Sequence, residues 1–178
     1  MRAVLLGGAP GIGKSAVARA LLKLAESGPG LVQWADVDAL WLHQPWRVDD
    51  RMKAMVQANL RAVAANAAEA GVDVLLITWV FQSAEMRQLV TALLPPGTPT
   101  ISVQLRGNRD TWQQRFAADQ ARPEIDAFFR ARYEAAQTTP ADHFVDTDHR
   151  DVREVARRVA AAAGLGADPP DGAPEPAA

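Results

Sequence analysis

Eight residues near the start of the chain carry its clearest chemical pattern. Gly8-Ala9-Pro10-Gly11-Ile12-Gly13-Lys14-Ser15 reads G-x-x-x-x-G-K-S, the Walker A spacing of a phosphate-binding loop. Each fixed position has a physical reason. Glycine lets the backbone turn tightly, so that amide N–H groups can converge on phosphate oxygens. A helix opening at the lysine adds the positive end of its dipole. Lys14 can reach the outer phosphates, and the Ser15 hydroxyl can hold Mg2+. The candidate phosphate contacts are Gly8, Gly11, Ile12, Gly13, Lys14, Ser15 and Ala16.

Three further groups could complete the chemistry. Asp36 and Asp38 follow an apolar run. A carboxylate pair there can divide the holding of a metal from the orienting or deprotonating of a hydroxyl; a solvated turn with a helix cap also favours Asp. Arg115, Arg122, Arg130 and Arg132 can close over a charged transition state, or form a solvated face with Asp119, Glu124, Asp126 and Glu134. Trp34, Trp41, Trp46, Trp79 and Phe81 can line a flat apolar pocket, or pack as ordinary core. His43, His143 and His149 lack metal-ligand spacing.

Placing these groups requires strands alternating with helices. Strands are expected over 1–7, 31–35, 72–81, 100–105 and 144–146, from their apolar runs. Helix one runs from Lys14 to about Ser27 and stops at Gly28-Pro29-Gly30. Residues 39–48 read as a loop or short helix. Asp49 or Asp50 caps the next helix, which carries Met52, Met55, Val56, Leu60 and Val63 to Gly71. Ser83 caps another, ending at Pro95-Pro96-Gly97. Asp110 or Thr111 opens an Arg-rich helical region that Pro123 divides in two. Asp148 caps the last helix, with Val152, Val155, Ala156 and Val159 inward and Gly164 at its end. This alternation implies an α/β fold with a parallel sheet and ligands beyond the C-terminal strand ends.

The chain resembles the small P-loop kinases of the nucleoside-monophosphate-kinase type, above all the shikimate kinase and chloramphenicol phosphotransferase-like group. Residues 1–164 carry the likeness. The resemblance implies a three-layer α/β/α fold, a five-stranded parallel sheet of order 2-3-1-4-5, and a helical lid over about 115–132. It implies ATP and Mg2+ as cofactors. Asp36 then holds the metal with Ser15, and Asp38 contacts the acceptor hydroxyl as base. Arg115, in Asp110-Thr111-Trp112-Gln113-Gln114-Arg115, stacks on adenine. Arg122, in Arg122-Pro123, covers the reacting phosphates, making Lys14, Asp38 and Arg122 the catalytic set. Residues 141–147 resemble the fifth strand and its adenine loop.

The chain also departs from that pattern. Thr78-Trp79-Val80-Phe81 stands where shikimate kinases have acceptor-admitting glycines, and no Walker B carboxylate ends this strand. Arg47 follows a Trp-rich insertion. Arg130 or Arg132, near Tyr133, is a loose match to a second anchoring arginine. A flatter, less anionic acceptor than shikimate is expected, bound by Asp38, Trp41, Trp79 and Arg132.

Bulk composition agrees with a single domain of 178 residues, 48% apolar and 22% charged. A net charge of −2 gives no drive toward nucleic acid. There is no cysteine, which excludes thiolate chemistry. No apolar run reaches membrane-spanning length, and the expected location is the cytoplasm. Residues 165–178, rich in Pro, Gly and Ala, are expected to be disordered. The expected activity is phosphoryl transfer from ATP to a hydroxyl of a small molecule. The alternative is an ATP-binding switch that hydrolyses slowly. Oligomeric state is left open.

Overall fold

The structure is a computed structural model that describes residues 1–119 and 122–165. In chain order it contains β1 (Arg2–Gly7), α1 (Lys14–Ala25), β2 (Val32–Asp36), α2 (Val37–Trp41), α3 (Asp50–Glu69) and β3 (Val74–Thr78). There follow α4 (Ala84–Thr91), β4 (Thr100–Arg106), α5 (Arg109–Ala117), α6 (Ala127–Thr138), β5 (His143–Asp146) and α7 (Val152–Ala162). The strands form one sheet of order β2-β3-β1-β4-β5, and every pairing is parallel. The α/β fold and strand order match the expectation.

The alternation of side chains along a strand explains the two layers of helices. Val4, Leu6, Leu76 and Leu105 join a core that includes residues of α1 and α7. Ala3, Leu5, Leu75 and Ile77 join a second core with residues of α3 and α4. β1 and β3 are buried on both faces, which is why their sequences read as unbroken apolar runs. Among the described residues no helix is long and apolar enough to cross a membrane.

Several boundaries differ from the sequence reading, each for a local reason. The third strand ends at Thr78; the Trp79 N–H still donates to Leu6 O at 3.3 Å, and the chain then turns at Phe81, which takes φ 38°. Residues 37–41 form a helix, capped by the Asp36 carboxylate. α5 is capped by Asn108, not by Asp110 or Thr111, since its side chain accepts the Thr111 N–H. α7 is capped by Asp151, whose carboxylate accepts the Glu154 N–H; Asp148 instead holds the Asn108 N–H. The shifted start leaves Val152 exposed. Leu165 is folded back: its N–H donates to Ala160 O, and it packs on the core. The remaining tail, and residues 120–121 of the expected lid, lie outside the described residues.

Candidate nucleotide and acceptor site

The loop between β1 and α1 is built around its glycines. Gly13 takes φ 111° and caps α1, and a Cβ added there would meet nothing within 4 Å. Its glycine is therefore a backbone requirement, and the space above it is open. Gly11, at φ 82°, is also packed: a Cβ would lie 2.9 Å from Phe116 Cδ2. Ile12 is buried in the core, and its N–H donates to Ala9 O. The first-turn N–H groups of α1, from Lys14 to Ala16, face the loop without intrahelical acceptors.

Lys14 lies in this loop with its ammonium donating to Gly8 O and Ala9 O, each at 2.9 Å. Burial lowers its pKa to about 8; Asp38 opposes that shift, Arg122 adds to it, and Asp36 opposes it. A part-buried ammonium whose hydrogen bonds go to loop carbonyl oxygens suits a site that receives anionic phosphates.

The two aspartates are separated in role by local geometry. As N-cap of α2, Asp36 accepts the Asp38 N–H through Oδ1 at 3.0 Å. Its Oδ2 accepts the Ser15 hydroxyl at 3.2 Å. Asp38 sits in the first turn of α2 and lines the same cavity as Lys14. Although the residue keeps contact with solvent, the protein around its carboxyl raises its pKa. Lys14, the Trp79 indole N–H and Arg132 oppose this shift, while Asp36 reinforces it. Among the described residues no three His, Cys, Asp or Glu side chains cluster as a metal site. A hydroxyl beside one carboxylate still fits Mg2+, which keeps waters and takes substrate phosphates as ligands.

Arginine positions are equally distinct. Arg115 donates to Thr147 Oγ1 and Thr147 O at 2.8 Å, and to Ile12 O at 3.4 Å, tying the loop to the turn after β5. Arg122 pairs with Asp119 at 2.9 Å, lies over Phe116 and lines the cavity. Arg132 donates to Gln82 Oε1 at 2.6 Å and lies 4.1 Å from the Phe128 ring centroid. Arg130 is exposed.

Beyond Asp38 the cavity, about 700 Å³ in volume, has an aromatic wall. Trp41 stands 5.7 Å from Trp46 and 6.4 Å from Trp79 between ring centroids. His43 braces this segment: its ring stacks on Trp46, Nδ1 bonds Trp41 O, and Nε2 accepts the Arg47 N–H. Trp34 does not belong to this wall. Its indole donates to Thr78 Oγ1, and Arg19 of α1 covers its ring, so it faces the opposite layer. Phe81 is fully buried in the core beside Trp79.

One cavity thus gathers Lys14, Ser15, Asp36, Asp38, Trp41, Trp79, Arg122 and Arg132. Arg115 stands at the far side of the loop. Sequence reading missed Gln82, which holds Arg132. It also missed Trp112, whose indole donates to Pro10 O at 2.7 Å under the loop. Neither carries a local signal, since each acts on a partner far along the chain. A second cavity of about 410 Å³, between α6 and β5, shares none of the loop residues.

Neither a protein-family model nor a curated protein matches the sequence. Solved structures share the fold. The tunicamycin resistance protein of Deinococcus radiodurans superposes with a TM-score of 0.70 at 19% identity, over 95% of this chain and 99% of that one. A gluconokinase from Sinorhizobium meliloti gives a TM-score of 0.65 at 16% identity, over 92% of each chain. An APS kinase of Mycobacterium tuberculosis, in complex with AMPPNP and APS, gives 0.60 at 20%, over 92% of this chain and 97% of that one. The chain therefore has the fold of the P-loop kinases.

Proposed function

We propose that this protein is a kinase that transfers the γ-phosphoryl group of ATP to a hydroxyl of a small molecule, with Mg2+ as cofactor. The observation that carries this reading is one continuous cavity. It has Lys14 and Ser15 at one end, Asp38 beside Trp79 and Arg132 at its middle, and an aromatic wall beyond. A gluconokinase, a sugar kinase and an APS kinase with this fold support transfer to a small molecule, and the AMPPNP complex supports an adenine nucleotide.

In this reading the loop amides and Lys14 bind the β- and γ-phosphates. Ser15 and Asp36 hold Mg2+, which neutralises phosphate charge when bound. Arg115, fixed by Thr147, contacts adenine. The acceptor oxygen bonds to the γ-phosphorus as the bond to the β–γ bridging oxygen breaks. ADP carries away that electron pair, and the Asp38 carboxylate takes the hydroxyl proton. Lys14 and Arg122 stabilise the charge on the transferring group.

The test is phosphorus NMR of the protein with ATP, Mg2+ and a panel of alcohols. A phosphate monoester should appear with equimolar ADP, and Lys14→Ala should abolish it while the circular dichroism spectrum is unchanged. Free phosphate as the sole product with every acceptor would replace this reading with a slow ATPase switch.

A further inference from the structure

We propose that the acceptor is an uncharged amphipathic alcohol. Its hydroxyl end lies at Asp38, and its apolar body lies in the cleft between α3 and α4. This inference rests on the phosphotransfer reading and names the acceptor class for the same cavity.

The floor of the cleft is apolar. Val56 and Leu60 of α3 face Met86 and Val90 of α4, with Leu93 closing the end. The hydrogen-bonding side chains nearby are few. Gln82 already accepts from Arg132, and Gln57 stands next to Val56 on α3. A polyol filling this space would bury hydroxyls against aliphatic carbon without partners, which is unfavourable. An alkyl or aryl body loses nothing there and leaves water.

The cations in the cavity are engaged or stand at the phosphate end. Lys14 is held by loop carbonyls, Arg122 pairs with Asp119, and Lys53 pairs with Asp50 at 3.1 Å. Arg132 is held by Gln82 beside Asp38. Among the described cations, Lys53 is the one on the α3 side of the cavity, one turn before Val56, and its ammonium turns to Asp50 at the start of that helix.

The rim gives an independent sign. Trp46 and Phe128 are each 54% exposed, Val48 and Leu89 are exposed as well, and all four border this cavity. Exposed apolar groups gathered at one mouth mark a surface that an apolar ligand covers.

The test uses the full-length protein and a series of 4-alkylbenzyl alcohols of growing chain length, compared with glycerol and glucose. Transfer is read by ADP release and phosphorus NMR. Binding is read without ATP by tryptophan fluorescence. We expect kcat/KM to rise at least tenfold along the series and to exceed that for both polyols. Leu89→Gln and Trp46→Ala should each reduce the preference at least fivefold. Leu24→Gln, an exposed apolar position on α1 away from the cavity, should leave it unchanged. Polyols used as well as the longest alcohol, with no effect of the cleft variants, would overturn the acceptor class and leave phosphotransfer intact. If neither class is phosphorylated, the phosphotransfer reading is decided by the wider panel of alcohols. Fluorescence then decides the ligand class: tighter binding along the series upholds it, and no binding overturns it.

Discussion

The Ser15 hydroxyl donates to Asp36 Oδ2 across 3.2 Å, while Oδ1 of the same carboxylate holds the Asp38 N–H. Asp36 thereby joins the phosphate loop to the start of α2 and orients the next aspartate. In the proposed function metal binding and helix capping meet in one side chain, and variants can separate them. Asp36→Asn keeps a capping oxygen but loses the charge. It should raise the Mg2+ concentration needed for half-maximal turnover by about 10–100-fold, with little change in Tm. Asp36→Ala should show the same loss plus about 0.5–2 kcal/mol of lost stability from the missing cap. Unchanged Mg2+ dependence in both variants would remove Asp36 from the metal site.

In the proposed function, Lys14 makes nucleotide binding depend on pH. Its pKa in the free protein is lowered to about 8 from 10.5 by burial. Between those values the unfolded chain holds a proton that the folded chain has lost, so wild-type stability rises with pH across that window. Relative to Lys14→Met, the wild type should gain stability as pH rises from about 8 and reach its full gain above 10.5. Bound phosphates favour the ammonium. ATP binding should therefore take up protons above about pH 8, seen calorimetrically as a dependence of binding heat on the buffer. Lys14→Arg, charged throughout, should lose that uptake.

Asp38 has a raised pKa, first because protein surrounds its carboxyl. A base must be ionised to accept a proton, so the acid limb of kcat/KM, which reports the free protein, should fall above the ordinary carboxylate range. Asp38→Asn should lower kcat about 10²–10⁴-fold with a small change in the Kd for ATP. Stability moves the opposite way. As pH rises through the raised pKa, the folded chain releases a proton that the unfolded chain has already lost, and stability falls. Asp38→Asn should therefore raise Tm above that window, and the gain should vanish on acidification below 3.8.

Gly11 couples the loop to α5. A Cβ there would meet Phe116 Cδ2 at 2.9 Å, and φ 82° disfavours any L side chain. Gly11→Ala should lose about 1–3 kcal/mol of stability and weaken ATP binding, read from urea unfolding and calorimetry. Gly71→Ala, with φ 76° but open space around its Cβ, should show backbone strain without the effect on ATP.

The sequence by itself determined the features that are local. The loop from Gly8 to Ser15 works through consecutive backbone groups and the helix that follows, so its spacing is its structure. Alternating apolar strands and helices determined the parallel sheet, because each element must bury one stripe or face. Tertiary structure decided which distant residues meet. Trp34 and Trp41 are the same residue type seven positions apart. The pleat of β2 turns Trp34 toward α1, while Trp41 ends a helix whose start Asp36 sets. Trp112 reaches Pro10, Arg132 reaches Gln82, and the cleft between α3 and α4 joins residues more than twenty positions apart. No periodicity encodes such contacts, since they arise only when the sheet order brings separate segments to one end of the fold. The proposed donor half is contiguous in the chain, so its pattern can be read locally; the proposed acceptor half arises only from packing.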